Sequence, residues 1–159
     1  MQFSLVIPCF NEEKNLPRLI DKCLILIDKS DCEVIIVNNG SKDESSVVLH
    51  RLLKQHRNLR TINIEENVGY GHGILAGLKE AKGDILGWTH ADLQTDPLDS
   101  IDALSLFNTH EDIFVKGKRR GRSFFDNFLT ICMAIFESIL LKKIMWDING
   151  QPTLFRKEF

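Results

Sequence analysis

The stretch that decides the fold of this chain is GDILGWTHADLQTDP, residues 83–97. A short apolar run follows the Gly-Asp break and predicts a buried strand that ends close to His90. His90, Asp92 and Gln94 then follow at every second position, so in an extended chain their side chains point the same way. An imidazole, a carboxylate and an amide oxygen could converge there on one divalent cation, with a diphosphate supplying further oxygens. The alternative is an ordinary strand end whose polar residues enter a turn.

Composition predicts one α/β domain with a real core, since the chain has 159 residues and is 43% hydrophobic. The net charge of −2 gives no overall attraction to nucleic acid, so anion binding must come from local clusters. The four cysteines lack any C-x-x-C spacing, which favours a reduced protein in the cytoplasm. The sequence shows neither a signal peptide nor a clean transmembrane span.

Strands alternate with helices through the first part of the chain. Predicted strands cover residues 3–7, 33–37, 61–64 and the run before His90. Predicted helices run from 11–13 to about 27, from a cap at Asp43 or Ser45 to about 56, and over 74–81. The glycine-rich segment 67–73 matches no phosphate-loop spacing, and we interpret it as a turn before the third helix. This alternation predicts a mostly parallel central sheet flanked by helices.

Three polar loops follow strand ends, at residues 8–12, 38–41 and 90–94. Because the carboxyl ends of parallel strands meet at one edge of a sheet, we expect these loops to lie together. Their convergence predicts a ligand site that no single loop would support.

The second part of the chain predicts a more exposed region. A helix is predicted over 98–107, with Asp99 and Asp102 on its solvent-exposed face. A strand over 113–115 follows it. The basic run 116–122 could be solvated surface or could bind phosphate. The apolar helix 123–146 could pack on the sheet, lie at a membrane interface as a peripheral contact, or form a homodimer face.

Five ordered motifs resemble those of the family-2 inverting glycosyltransferases of the GT-A fold. They are VIPCFNE (6–12), EVIIVNNGSKD (33–43), NVG (67–69), HADLQ (90–94), and DING with LFR (147–150 and 154–156). Within that family they resemble the branch of dolichyl-phosphate mannosyltransferase and the polyprenyl-phosphate glycosyltransferases. The resemblance covers essentially the whole chain and predicts one catalytic domain over 1–159, either truncated or minimal.

The resemblance also implies roles for particular residues. Residues implied to hold the nucleotide are Pro8, Phe10, Glu12, Ile36, Asn38, Asn39, Ala91, Asp92, Gln94, Arg119 and Arg156. His90, Asp92 and Gln94 are the implied ligands of Mn²⁺ or Mg²⁺, and Asp92, Arg119 and Asp147 the implied catalytic residues. Asn38, Asn39 and His90 stand where the family pattern has acidic residues, so at least one carboxylate is missing from each of two motifs.

The implied activity is transfer of a sugar, with inversion, from a nucleotide-sugar donor. The acceptor would be a lipid phosphate or a glycan at the cytoplasmic face of a membrane, in the synthesis of a glycolipid or envelope polysaccharide, with no part for nucleic acid. Two alternatives stay open: an inactive nucleotide-sugar-binding relative, and a nucleotidyltransferase. The latter usually has a Gly- and Lys-rich first loop, which residues 8–11 do not form.

Overall fold

The computed structural model describes residues 2–53, 56–110, 113–118, 124–142 and 150–158. These residues form a six-stranded sheet in the order β3-β2-β1-β4-β6-β5. Strands β1 to β4 are parallel, whereas β6 runs antiparallel to β4 and to β5. The strands are β1 (Phe3–Cys9), β2 (Cys32–Asn39), β3 (Leu59–Ile64), β4 (Ile85–Trp88), β5 (Phe114–Lys116) and β6 (Thr153–Arg156). The predicted α/β fold with a mostly parallel sheet is therefore confirmed.

Helices cover both faces of this sheet. They are α1 (Leu16–Lys29), α2 (Ser45–Leu52), α3 (Tyr70–Glu80), α4 (Asp99–Ser105) and α5 (Phe124–Leu141), with a 3₁₀ turn at Leu106–Asn108 after α4. One core cluster joins the sheet to α1, α2 and α4, and a second, smaller cluster joins the other face to α3. Every residue of β1 and β2 is buried, which accounts for the apolar runs at residues 5–7 and 34–37.

Helix α3 begins earlier than the sequence predicted, so Gly71 and Gly73 belong to the helix rather than to a preceding turn. The buried positions of α3 are Gly73 and Gly77, whereas the large apolar side chain of Leu75 is exposed. A Cβ on Gly77 would collide with the Val6 side chain. The glycines of α3 therefore let the helix approach the sheet closely.

Several other predictions need correction or fall outside the described residues. The short strand β6 was not predicted, although it joins β4 to the edge strand β5. Asp99 and Asp102 are exposed on α4, as predicted. Only part of the predicted basic run and of the predicted apolar helix 123–146 lies within the described residues, as residues 116–118 and 124–142. Within the described part of the chain, no helix is long and apolar enough to cross a membrane.

Candidate functional site

A cleft of about 210 Å³ opens at the carboxyl ends of β1, β2 and β4. It is lined by residues of all three loops that the sequence predicted to converge, together with the start of α3. The lining residues are Pro8, Cys9, Phe10, Glu12, Asn39, Asn67, Tyr70, His90, Ala91 and Asp92. The parallel sheet brings them together because these strands end at the same edge.

The loop after β1 and the loop after β2 are held together by reciprocal hydrogen bonds. The backbone N–H of Asn11 donates to Ser41 Oγ (3.1 Å), and that of Lys42 donates to Asn11 Oδ1 (2.8 Å). The N–H of Glu13 donates to Asp43 Oδ2 (3.2 Å). Burial raises the pKa of Asp43, but hydrogen bonds from Ser45 and from backbone N–H groups outweigh it and lower the pKa overall. These hydrogen bonds join the two loops into one wall of the cleft.

Glu12 is fixed from both ends. Its backbone N–H donates to Ser45 Oγ (2.9 Å), and its Oε2 accepts a hydrogen bond from Asn15 Nδ2 (2.6 Å). The neighbouring thiol of Cys9 is buried, which together with the charges of Glu12 and Asp43 raises its pKa to about 12. Cys9 therefore stays protonated and is no nucleophile at neutral pH.

The two asparagines at the end of β2 make different contacts. Asn38 donates to Asn63 Oδ1 (3.1 Å) and accepts from the N–H of Ser41 (3.4 Å), and it does not line the cleft. Asn39 lines the cleft and donates through Nδ2 to Asn67 Oδ1 (3.2 Å) and to the carbonyl of Gly69 (3.1 Å). Its Oδ1 is buried and has no hydrogen-bond partner in the described part of the chain. That oxygen can accept a hydrogen bond from a ligand.

The loop after β4 turns sharply behind Asp92. Leu93 adopts a φ of +61°, and Asp92 Oδ1 accepts the backbone N–H of Gln94 (3.0 Å). The Gln94 side chain is exposed and is absent from the cleft lining. His90 and Asp92 both line the cleft, but the described residues contain no group of three His, Cys, Asp or Glu side chains placed for a metal ion. A divalent cation would fit with these two protein ligands only if bound phosphates supplied the others.

His90 is backed by an aromatic side chain that the sequence did not indicate. The rings of Tyr70 and His90 stack with centroids 4.7 Å apart, and Tyr70 Oη accepts a hydrogen bond from Gln151 Nε2 (2.8 Å). Burial raises the pKa of Tyr70 to about 12, so the phenol stays neutral. Tyr70 is the single tyrosine of the sequence, which was the one signal that could have singled it out.

Two of the predicted nucleotide contacts, Ile36 and Arg156, do not line the cleft. The side chain of Ile36 is fully buried in the larger core cluster and has no surface left for a ligand. Arg156 pairs with Ile85 at the opposite end of β4 and donates to the carbonyl of Phe107 (3.3 Å), away from the cleft. Arg119 and Asp147, the other two predicted functional residues, lie outside the described residues.

The fold and the cleft define a class of α/β proteins whose site lies at the carboxyl edge of a mostly parallel sheet. Residues 4–157 match the model of a family described as Glycosyl transferase family 2, and the chain belongs to that family. This confirms the resemblance seen in the sequence motifs.

Curated relatives point to the same branch. Dolichyl-phosphate beta-glucosyltransferase ALG5A of Trichomonas vaginalis is 35% identical over 128 residues, which cover 73% of this chain and 39% of the relative. Undecaprenyl-phosphate 4-deoxy-4-formamido-L-arabinose transferase of Photorhabdus laumondii is 35% identical over 97 residues, 59% of this chain and 30% of the relative. The chain thus spans well under half the length of these relatives.

Solved structures show the same fold. Glucosyl-3-phosphoglycerate synthase from Mycobacterium tuberculosis, in complex with UDP, has a TM-score of 0.74 at 23% identity, covering 99% of this chain and 57% of that one. Mannosyltransferase PcManGT from Pyrobaculum calidifontis, in complex with GDP-Man and Mn²⁺, has a TM-score of 0.66 at 21% identity, covering 99% and 45%.

Proposed function

We propose that this chain transfers a sugar from a nucleotide-sugar donor, with inversion, to a lipid phosphate or a glycan. The observation that supports this most is the cleft itself, in which Glu12, Asn39, His90 and Asp92 meet at the edge of the sheet where ligands bind in such folds. Two curated relatives are named as transferases acting on dolichyl phosphate and undecaprenyl phosphate, which favours a lipid phosphate.

The donor's nucleoside would bind on the β1–β2 side of the cleft. Phe10 is 41% exposed at its mouth and offers a ring on which a base can stack. The unpartnered Oδ1 of Asn39 can accept from a base N–H or a ribose hydroxyl, and the fixed carboxylate of Glu12 can do the same. These contacts need no carboxylate at positions 38 and 39.

His90 and Asp92 would hold a divalent cation, Mn²⁺ or Mg²⁺, between the protein and the donor's diphosphate. When bound, such a cation supplies positive charge to the departing nucleotide. Stacking on Tyr70 keeps the His90 ring in one orientation. The Asx-type turn at Gln94 N keeps Asp92 in place, so both side chains are set before the ligand arrives.

The transfer step would be a single displacement at the anomeric carbon. An acceptor oxygen forms a bond to that carbon while the bond to the donor's phosphate oxygen breaks, and the nucleotide leaves with the electron pair. A phosphate acceptor is already anionic and needs no base. A sugar hydroxyl would need one, and Asp147 remains the candidate proposed from sequence.

Contact with a membrane surface would bring a lipid acceptor to this site. Helix α5 exposes many apolar side chains, namely Phe128, Ile131, Met133, Ile135, Phe136, Ile139 and Leu140. Lys116, Lys118 and Lys142 can add attraction to anionic headgroups. Co-flotation with vesicles containing anionic lipid tests this; a protein that ignores such vesicles but dimerises in solution would have a dimer face instead.

The activity is tested by incubating the protein with UDP-, GDP-, dTDP- and CMP-sugars, with and without Mn²⁺, and with a prenyl phosphate or a glycan as acceptor. We expect nucleotide release that depends on one donor and on the acceptor, and a product whose anomeric configuration, read by NMR, is inverted. Tight nucleotide binding without turnover would favour the inactive relative. Release of pyrophosphate from a nucleoside triphosphate would favour a nucleotidyltransferase.

A further inference from the structure

Tyr70 lies at the start of α3, and its place in the cleft is set by the residues around it. Gly69, the residue before it, adopts a φ of +115°, and its carbonyl accepts a hydrogen bond from Asn39 Nδ2 (3.1 Å). The Gly69 N–H donates to Asn67 Oδ1 (2.9 Å). The Tyr70 ring stacks on His90 at an interplanar angle of 25°. These contacts fix both the position of Tyr70 and the orientation of its ring in the cleft lining.

The hydroxyl of Tyr70 accepts one hydrogen bond and keeps a proton that it can donate. It accepts from Gln151 Nε2 at 2.8 Å, and no acceptor for its own proton lies among the residues that the structure describes. Gln151 is 7% exposed, and its Oε1 has no hydrogen-bond partner in the same part of the chain, so the contact with Tyr70 is the one that holds its amide. A phenol is protonated at neutral pH. Because its oxygen faces the Gln151 N–H, the O–H bond points away from Gln151 and is available to a ligand.

This hydroxyl lies on the side of the cleft that is opposite to the proposed nucleoside position. The sheet order places β1 and β2 on one side of β4 and β6 on the other. The proposed nucleoside contacts come from the β1–β2 side, whereas Gln151 stands shortly before β6. Burial raises the pKa of Tyr70 to about 12, and the nearby negative charge of Asp92 adds to the rise. The phenol therefore adjoins both His90 and Asp92, the side chains proposed to hold the cation and the donor's diphosphate.

We propose that Tyr70 is a further catalytic residue, whose hydroxyl, oriented by Gln151, donates a hydrogen bond to the phosphate that is bonded to the donor's sugar. This deepens the function proposed above and rests on it. The hydrogen bond is charge-assisted, and it strengthens as the bond between that phosphate oxygen and the sugar breaks and the oxygen keeps the electron pair. The phosphate next to the nucleoside would lie nearer to β1 and makes no contact with the hydroxyl.

Two variants separate the hydroxyl from the ring that carries it. Tyr70→Phe removes the hydroxyl and keeps the ring that stacks on His90. Gln151→Glu supplies a carboxylate that accepts the phenol proton, which turns the proton away from the cleft. The matched control is Gln2→Glu, which adds the same charge at an exposed residue before β1, at the opposite edge of the sheet. Circular dichroism checks the fold of each variant, and Tyr70→Phe alone decides the test if Gln151→Glu does not fold.

Binding of UMP, UDP, GMP and GDP to the full chain is measured by calorimetry in the presence of Mn²⁺. We expect Tyr70→Phe to weaken binding of the preferred diphosphate by about tenfold, since it removes one charge-assisted hydrogen bond, and to leave binding of the matching monophosphate unchanged. Gln151→Glu should cause a loss of similar size. The double variant should lose no more than either single variant, because both changes remove the same hydrogen bond. Gln2→Glu should bind as the wild type does.

A loss in Tyr70→Phe that is specific to the diphosphate supports the proposal. Unchanged diphosphate binding in Tyr70→Phe overturns it, as does an equal loss of monophosphate and diphosphate, which would mean that the change disturbs His90 or the fold. Wild-type binding in folded Gln151→Glu would overturn the orienting role of Gln151. The titrations need no turnover, and absence of all nucleotide binding by the wild type would overturn the proposed sugar transfer as well, so the two failures are distinguishable.

Discussion

Replacing Asn39 by aspartate, the residue type that the family pattern has at this place, should destabilise this protein. Asn39 is 2% exposed, and both protons of its amide nitrogen point at oxygen atoms, Asn67 Oδ1 at 3.2 Å and the Gly69 carbonyl at 3.1 Å. Aspartate has no such protons and would place a carboxylate oxygen against two acceptors. The change is nearly isosteric, so its effect reports these hydrogen bonds rather than packing.

The size of the effect follows from the hydrogen bonds that aspartate cannot donate. Two hydrogen bonds at about 0.5–1.5 kcal/mol each give a decrease of about 1–3 kcal/mol in the free energy of unfolding. Asn67 could turn its amide to donate to the new carboxylate, but the Gly69 N–H, now bound to Asn67 Oδ1 at 2.9 Å, would then have no acceptor. The variant therefore makes at least one hydrogen bond fewer, which costs about 1 kcal/mol. A chain of 159 residues would lose about 2–4 °C in Tm for each 1 kcal/mol.

Urea unfolding followed by circular dichroism measures this difference, with Asn67→Asp as the control. Asn67 serves both neighbours only as an acceptor, so an aspartate there keeps both hydrogen bonds and should leave stability within about 0.5 kcal/mol. The loss in Asn39→Asp should shrink in acid, where the carboxyl regains a proton to donate. An Asn39→Asp protein as stable as wild type at neutral pH would refute the reasoning.

Three further outcomes are expected. Gly77→Ala should lower the free energy of unfolding in urea by about 1–2 kcal/mol, because overpacking against the sheet exceeds the gain in helix propensity. Gly71→Ala has open space around its Cβ and should not lower it. Equal stability of the two variants would contradict this reasoning. Burial raises the pKa of the Glu33 carboxyl, but its hydrogen bonds and the ion pair with Arg60 outweigh burial and lower the pKa overall, so Glu33 stabilises the fold above its unfolded pKa and this stabilisation is lost as pH falls through the folded pKa. Glu33→Gln should therefore lower the free energy of unfolding at neutral pH and make it depend less on pH in acid. Parallel curves of unfolding free energy against pH for the two proteins would contradict this linkage. The Cys9 thiol should resist iodoacetamide in the folded protein and react only on denaturation, as mass spectrometry of the modified peptide would show; rapid labelling of native protein would mean that the thiol is not protected.

The sheet and the position of the cleft could be predicted because both depend on local patterns. The centres of β1 and β2, residues 5–7 and 34–37, are continuous apolar runs, as is typical of strands buried on both faces. Polar residues that follow parallel strands lie at the carboxyl edge of the sheet, so His90 and Asp92 could be assigned to the same edge as Pro8 and Glu12.

The remainder depends on interactions between distant parts of the chain. Glycines count against a helix when judged alone, and only the closeness of Val6 shows why Gly77 is needed within α3. Gln151 meets Tyr70 across 81 positions of sequence, and no local pattern signals such a pair. The motif ending in Arg156 was recognisable, but the antiparallel pairing of β6 carries that side chain to the other end of β4.

The central claim is that the cleft binds a nucleoside diphosphate through a cation held by His90 and Asp92. Calorimetric titration of UDP and GDP, with and without Mn²⁺, tests this claim most directly. We expect Mn²⁺ to strengthen binding of one nucleotide to wild type by at least about tenfold, and Asp92→Ala to abolish that gain. Asp84→Ala removes an exposed carboxylate at the other end of β4 and should bind as wild type does. Mn²⁺-independent binding, or a full Mn²⁺ effect in Asp92→Ala, would contradict the account.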